Sequence, residues 1–192
     1  MVAIIKAIPT EYAGSVFRSR LEARWASFFD LCGWRWTYEP DDMDGYIPDF
    51  KLWFRTPLLV EVKPLNWDES ERDESILEEA RLKFINAGIS GEALILGSRI
   101  CIEDVNGAQL AHQRIGAIMD IDHDTDEASP WGPAFAFICR MCGRRSLASE
   151  DLSWRCRVRS CYDDANPVWN LGRWDADADF RRAGSEVQWK PR

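Results

Sequence analysis

The apolar positions of residues 15–32 repeat every three to four residues, which is the spacing of one face of an α-helix. Ser15 is a suitable N-cap for this helix, and Gly33 is a suitable residue to end it. A first helix is therefore predicted over 15–32. Its apolar face comprises Phe17, Leu21, Trp25, Phe28 and Cys32.

Residues 69–87 contain a second helical pattern. Their N-terminal end is acidic and their C-terminal end holds Arg81 and Lys83, a charge distribution that suits the helix dipole. Gly88 stands where helices commonly end in a left-handed residue. The second helix is therefore predicted over 69–87.

Alternating or continuous apolar runs predict β-strands between and after these helices. Gly97 and Ser98 are predicted to end the fourth strand, because glycine and serine favour turns. Helices and strands together predict an α/β protein. The predicted strands are 34–39, 46–54, 58–63, 92–96 and 115–121.

The third predicted strand places charged side chains on one of its faces. Side chains alternate along a strand, so Glu61 and Lys63 point away from the face of Val60. A hairpin would bring Asp49 of the preceding strand beside Glu61. Buried charges are costly unless they are paired or bind a metal, and carboxylates are suitable ligands for Mg²⁺. The strand pair therefore predicts a magnesium site, and the alternative is a surface hairpin with a simple Glu–Lys pair.

Pro48 and Asp49, followed after eleven residues by Glu61-Val62-Lys63, resemble the motif of the PD-(D/E)xK nuclease superfamily. The resemblance implies that Asp49, Glu61 and the backbone carbonyl of Val62 bind a catalytic Mg²⁺ or Mn²⁺ ion. Lys63 would then aid the attacking water.

This resemblance covers roughly residues 15–100 and implies a restriction-endonuclease-like core, which is a central mixed sheet flanked by helices. The arrangement is most similar to small phage- and mobile-element-type endonucleases and to Holliday-junction resolvases. Several branches of the superfamily add a glutamate from the first helix to the catalytic site, and Glu22 fits that position. The alternative for Glu22 is a helix-surface residue paired with Arg18.

Four cysteines form two close pairs, Cys139-x-x-Cys142 and, thirteen residues later, Cys156-x-x-x-x-Cys161. This spacing is typical of a zinc ribbon, in which four thiolates bind one Zn²⁺ ion. The ion would be structural, because the protein would fill all four ligand positions. Two disulfides are the alternative, which an intracellular chain disfavours.

The cysteine-containing segment is also the basic part of the chain, because its six arginines outnumber its two acidic residues. Guanidinium groups suit phosphate recognition, so the segment is predicted to contact the DNA backbone. A charged, solvated surface is the alternative. The arginines are Arg140, Arg144, Arg145, Arg155, Arg157 and Arg159.

The chain of 192 residues is long enough for one domain with a small appendage. We predict a nuclease core over 1–130 and, over 131–192, the zinc ribbon (139–161) with a tryptophan-rich tail. No apolar run approaches the roughly 20 residues of a membrane span, and the N-terminus has no signal-peptide pattern. A cytoplasmic protein is therefore predicted, and the resemblance would fit a phage-encoded one. The formal net charge of −8 argues against bulk nucleic-acid binding but allows a local basic surface.

Together these features predict a metal-dependent endonuclease that hydrolyses DNA phosphodiester bonds, with a zinc ribbon that aids DNA binding. DNA is the expected partner, and a homodimer or a heteromeric partner protein is compatible with the sequence. One alternative is a non-cleaving DNA- or protein-binding module on a nuclease-like scaffold. Another is a nuclease subunit that requires a partner, as in transposase-type assemblies.

Overall fold

The structure is a computed structural model that describes residues 8–43, 45–68, 70–104, 111–122, 129–149, 156–161 and 174–187. Within these residues the chain forms a two-stranded sheet, a seven-stranded sheet and three helices. The two-stranded sheet pairs β1 (Thr10–Tyr12) with β2 (Ser15–Phe17). The other elements are α1 (Arg20–Cys32), β3 (Trp36–Tyr38), β4 (Phe50–Leu52), β5 (Leu58–Val62), α2 (Glu71–Asn86), β6 (Gly91–Asp104), β7 (Ala111–Ile121), β8 (Gly132–Ile138), β9 (Arg145–Ser149) and α3 (Ala176–Glu186).

The first helix begins later than predicted. Ser15 is not its N-cap, because it starts strand β2. The cap is Ser19, whose side chain accepts a hydrogen bond from the backbone N–H of Glu22. Phe17 is in phase with the helical pattern but reaches the core from the hairpin instead. The predicted end is confirmed, since Gly33 closes the helix with a left-handed φ of 70°.

Helix α2 lies within the predicted range and begins after Ser70, whose side chain caps the backbone N–H of Asp73. Gly88 follows the helix with a φ of 61°, as predicted. Asp73 is buried, and its Oδ2 accepts hydrogen bonds from the backbone N–H groups of Asn66 and Trp67. This carboxylate therefore anchors the loop between β5 and α2.

The elements from α1 to β6 follow the order helix, three strands, helix, strand. β3, β4 and β5 form an antiparallel meander. The chain then crosses through α2, so that β6 lies parallel to β5. The predicted α/β architecture with a mixed sheet is thereby confirmed. β4 is shorter than predicted, because Met43 and Tyr46 pair with each other in a separate bridge.

Strand β6 continues through its predicted end at Gly97 and Ser98. Its register against β7 shifts between Leu96 and Cys101, which marks a bulge and not a terminus. Gly97 lies against Trp67: a Cβ atom added to this glycine would come within 2.4 Å of the indole Nε1. Glycine is therefore required here for close packing, and the prediction of a strand end was wrong.

The two faces of the large sheet are covered by different helices. On one face, Val60 and Val62 belong to an apolar core that includes α1 and α3. On the other face, Leu59 shares a core with Phe84 of α2. The alternation of β5 side chains thus distributes them between two apolar layers.

The sheet continues beyond residue 130, where the nuclease core was predicted to end. β8 and β9 extend it from β7, so residue 130 precedes two further strands of the same sheet. Helix α3, from the predicted tail, packs on α1, with the rings of Trp25 and Phe180 centred 4.3 Å apart. In the described part of the chain, no helix has the length and apolarity needed to cross a membrane.

Candidate functional site

The hairpin of β4 and β5 places Asp49 beside Glu61. Asp49 directly precedes β4, and its Oδ2 accepts a hydrogen bond from the backbone N–H of Val62 at 2.7 Å. Both carboxylates are buried, with relative exposures of 4% and 5%. Burial of two acidic side chains at one place requires nearby positive charge or hydrogen-bond donors.

Lys63 and Arg18 supply this positive charge. Lys63 Nζ donates a hydrogen bond to Glu61 Oε1 at 2.5 Å. Arg18 Nη2 donates to Asp49 Oδ1, also at 2.5 Å. The Arg18 Nε atom lies 3.0 Å from Glu39 Oε1. Two cationic side chains therefore engage three carboxylates in the site.

Glu22 approaches the same site from α1. Its Oε2 accepts a hydrogen bond from the Tyr38 hydroxyl at 2.7 Å, and its Oε1 accepts one from Ser19 Oγ at 2.7 Å. The Arg18 Nε atom is more distant from Oε2, at 4.0 Å. Glu22 is therefore a buried neighbour of Asp49 and not an exposed helix residue.

The surroundings raise the pKa of Asp49 from 3.8 to about 7. Burial is the largest cause, followed by the negative charge of Glu61, and Glu22 adds to it. The backbone N–H of Val62 and the charge of Arg18 act in the opposite direction. Burial and the neighbouring carboxylates thus outweigh these donors at Asp49, and a bound cation would favour its ionised form.

Two tyrosines that the sequence analysis missed complete the site. The Tyr46 hydroxyl donates to Glu61 Oε2 at 2.7 Å, and burial together with Glu61 raises its pKa far above the usual range. Burial, assisted by Glu22, raises the pKa of Tyr38 to about 12. Both tyrosines therefore stay neutral donors. No spacing rule identifies them, because each meets its carboxylate only in the folded chain.

The carboxylates are not gathered as closely as the ligands of a preformed metal centre. Among the described residues, one group of three or more Cys, His, Asp or Glu side chains has all its ligand atoms within 4.8 Å of one another, and it is the cysteine group. Asp49 and Glu61 instead contact Arg18 and Lys63, respectively. A cation at the carboxylates would compete with these ammonium and guanidinium groups.

Cys139, Cys142, Cys156 and Cys161 come together, as their spacing predicts. The Sγ atoms of Cys139 and Cys161 are 3.7 Å apart, and those of Cys142 and Cys156 are 3.8 Å apart. A tetrahedron with Zn–S bonds of about 2.3 Å has edges of about 3.8 Å. These sulfur separations are too long for disulfide bonds, which contradicts the two-disulfide alternative. This cysteine cluster could hold a metal ion such as zinc.

Backbone N–H groups support the sulfurs of the cysteine cluster. Arg144 N–H donates to Cys142, and Val158 N–H donates to Cys156. Gly143 adopts the left-handed φ of 67° that the tight turn requires. Burial acts to raise the pKa of Cys142, but hydrogen bonds from the Arg144 N–H and from the other three cysteines leave that pKa lowered. Burial dominates at Cys156 and raises its pKa.

Two of the predicted DNA-binding arginines are used within the fold. Arg157 binds Glu92 of β6 through both guanidinium Nη atoms, one of them at 2.7 Å. Arg145 lies 2.9 Å from Asp179 of α3 and stacks over Trp174. These contacts fix the cysteine cluster to the main sheet and to α3. Both guanidinium groups therefore have acidic partners within the fold.

The remaining predicted arginines differ from these two. Arg140, Arg144 and Arg159 are exposed around the cysteine cluster. Arg155 lies outside the described residues. The Arg144 Nη1 atom donates a long hydrogen bond to Ser160 Oγ at 3.4 Å, and its guanidinium group remains exposed to solvent.

Another arginine group lies where α1 meets α3. Arg20, Arg24 and Arg181 line a cavity of about 500 Å³ together with Ser98. No sequence pattern groups these arginines, because α1 and α3 are far apart in the chain and meet only in the fold.

Comparisons of the chain with protein-family models, with curated proteins and with solved structures found no match.

Proposed function

We propose that the protein is a metal-dependent endonuclease that hydrolyses DNA phosphodiester bonds. The observation that carries the proposal is the meeting of Asp49, Glu61 and Lys63 at the β4–β5 hairpin, with Asp49 and Glu61 both buried. Burying two carboxylates side by side destabilises a fold unless a bound cation or hydrogen-bond donors compensate their charge. The raised pKa of Asp49 means that ionising this carboxyl in the folded protein costs free energy.

The surrounding fold supports the proposal. The motif hairpin lies within a mixed sheet, and helices cover both faces of that sheet. A restriction-endonuclease-like core has this arrangement. Glu22 comes from the helix that precedes the hairpin, which is the position that the resemblance to PD-(D/E)xK nucleases implies.

The carboxylate oxygens are suitable for Mg²⁺ or Mn²⁺, which prefer oxygen ligands. Asp49, Glu61 and the backbone carbonyl of Val62 would hold the ion, with Glu22 as a further ligand. A bound ion would neutralise the scissile phosphate and acidify a water molecule. Lys63 is half-buried and hydrogen-bonded to Glu61, so its ammonium group is positioned to orient the attacking water.

The cysteine cluster would hold a structural Zn²⁺ ion in this proposal. Four thiols close all four positions of a tetrahedral site, which leaves none for a substrate. The ion would hold the turn between β8 and β9 against the second cysteine pair. Arg140, Arg144 and Arg159 would then present a basic surface to phosphates.

A second candidate function is a nuclease subunit that cuts DNA only with a partner. It is favoured by the Arg18–Asp49 ion pair, because the guanidinium group competes with a cation for the same carboxylate. A partner that moved Arg18 would remove this competition. Cleavage that appears only after a second protein is added would identify this case.

The test is cleavage of linear, nicked, branched and single-stranded DNA with Mg²⁺ or Mn²⁺. Lys63→Ala and Asp49→Ala should each reduce the rate by about a hundredfold or more. Arg182→Ala is the control, because Arg182 is exposed on α3 and pairs with Glu186. Equal cleavage by the parent and by both site variants would contradict the proposal. DNA binding without cleavage would favour the non-cleaving module.

A further inference from the structure

An aromatic groove runs between edge strand β3 and the cysteine cluster. One cavity of about 460 Å³ is lined by residues of β3 and by Trp53. A second cavity of about 290 Å³ is lined by Trp53 and by residues next to the cysteines, including Arg144 and Arg159. Gly33, Trp34, Arg35 and Trp53 line both cavities, so the two form one groove.

Trp53 is the exposed aromatic residue of this groove. Its side chain is 40% exposed, whereas most large apolar side chains of the described residues are buried. The indole N–H donates to Thr37 Oγ1 at 2.8 Å, which fixes the ring on the sheet. A fixed, exposed indole offers a flat surface on which another aromatic ring can stack.

Cationic side chains surround this indole. The Lys51 Nζ atom lies 4.8 Å from the ring centroid, and the Arg35 guanidinium lies 6.0 Å from it. Arg144 and Arg159 line the groove farther along, and Asp30 is the acidic residue among the groove's lining. The groove is therefore basic in a protein with a net charge of −8.

The groove is also connected to the carboxylate site. Asp49, Lys51 and Trp53 alternate along the β4 segment and therefore point to the same face of the sheet. Hydrogen bonds from Glu39 N–H to Asp49 and from Trp53 N–H to Arg35 keep this segment paired with the β3 segment along its length. At about 3.3 Å per residue, Trp53 lies about 13 Å from Asp49.

We propose that this groove binds single-stranded DNA and guides it to the carboxylate site. Unpaired bases expose their faces and can stack on Trp53, whereas base pairing and stacking in a duplex hide those faces. Phosphates of the same strand would contact Arg35 and the arginines of the cysteine cluster. This proposal rests on the proposed nuclease function for the claim that the strand leads to the carboxylate site. Binding of the strand to the groove can be measured without cleavage.

The test measures binding of a fluorescein-labelled oligo(dT) and of a duplex of equal length by fluorescence anisotropy, without added magnesium. The parent should bind oligo(dT) more tightly than the duplex. Trp53→Ala should weaken oligo(dT) binding about tenfold, and Trp53→Phe should restore much of it. Arg35→Ala should reduce the slope of log K against log salt by about 0.7.

Arg182→Ala is the matched control, because Arg182 is exposed on α3 and lies outside the groove. It should bind oligo(dT) like the parent. The proposal is overturned if Trp53→Ala and Arg35→Ala also bind oligo(dT) like the parent, or if the parent binds the duplex as tightly as oligo(dT). Tighter binding of oligo(U) would overturn the assignment to DNA.

The outcomes separate the two proposals. Loss of oligo(dT) binding in Trp53→Ala, combined with cleavage that does not depend on Lys63, would reject the nuclease site and support the groove. Cleavage that depends on Lys63, combined with unchanged oligo(dT) binding by Trp53→Ala, would reject the groove and support the nuclease site.

Discussion

The protein contains a cluster of cysteines that could hold a metal ion and a cluster of buried carboxylates, and the two are organised differently. The four cysteines bring their sulfur atoms within 4.8 Å of one another, supported by backbone N–H groups of the same short segments. The carboxylates of Glu22, Asp49 and Glu61 come from a helix and two strand segments, and side chains from other elements hold them. One cluster is assembled by local turns, and the other by the tertiary fold.

This difference has an energetic consequence. Thiols can remain neutral until a metal binds, so the cysteine cluster stores little electrostatic repulsion. The carboxylates repel one another, and the raised pKa of Asp49 shows that Arg18 does not compensate fully. Substitutions in the two clusters should therefore change the free energy of unfolding in opposite directions.

Cys139→Ser should have the largest effect. A structural zinc ion contributes to folding directly, so losing one ligand should lower the thermal midpoint by about 10 °C or more. Mass spectrometry should also show loss of bound zinc. Cys101→Ser is the control, because Cys101 lies outside the cysteine cluster. Unchanged zinc content and midpoint in Cys139→Ser would contradict a structural metal site.

Asp49→Asn should stabilise the fold at pH 8. The folded protein keeps the Asp49 proton up to about pH 7, whereas the unfolded chain releases it near 3.8. Ionising this carboxyl in the fold costs free energy, so the parent loses stability as the pH rises from about 4 to 7. The variant should gain roughly 2 kcal/mol over the parent between pH 5 and pH 8. Urea titrations at both pH values check this, and a pH-independent difference would contradict it.

Arg18→Gln should respond more strongly to magnesium than the parent does. Removing this cation leaves Asp49 less neutralised, so the unfolding free energy at pH 8 should fall by roughly 1 kcal/mol or less, since Arg18 is largely exposed. The magnesium-induced rise in thermal midpoint should be larger than in the parent, because a competitor is gone. An equal rise in both proteins would show that Arg18 and the ion do not compete.

Tyr46→Phe should have a similarly small effect on stability. It removes one hydrogen bond to Glu61 and should lower the unfolding free energy by about 1 kcal/mol. Tyr12→Phe is the matched control, because the Tyr12 hydroxyl donates to Asp30 at an exposed position. If the two variants lower the unfolding free energy equally, burial does not strengthen the hydrogen bond from Tyr46 to Glu61.

Local signals in the sequence predicted much of the fold. Gly33 and Gly88 end the helices where expected, because left-handed residues favour glycine. Ser15 and Gly97 misled the prediction for a physical reason. Each residue type favours a cap or a turn, but Ser15 is held in a hairpin and Gly97 fits beneath Trp67. Tertiary packing overrode the local preference at both positions.

The candidate sites were predictable to different degrees. The spacing of the four cysteines was sufficient to predict their cluster, since two tight turns form it. The pairing of Asp49 with Glu61 was also predictable, because a short connection joins the two strands of their hairpin. Arg18 and Tyr46 could not be assigned to the site, because no periodicity links them to the carboxylates. The partners of Arg145 and Arg157 were not predictable either. Their positive charges suggested DNA binding, but they pair with Asp179 and Glu92, which lie in other elements.

The C-terminal ends of α1 and α2, the alternation of β5 and the cysteine cluster follow from the sequence alone, because they depend on neighbouring residues and on backbone geometry. Which charges are neutralised depends on the tertiary fold, since ion pairing and burial involve elements distant in the chain. The pKa of Asp49 and the basic groove beside Trp53 are both consequences of that assembly.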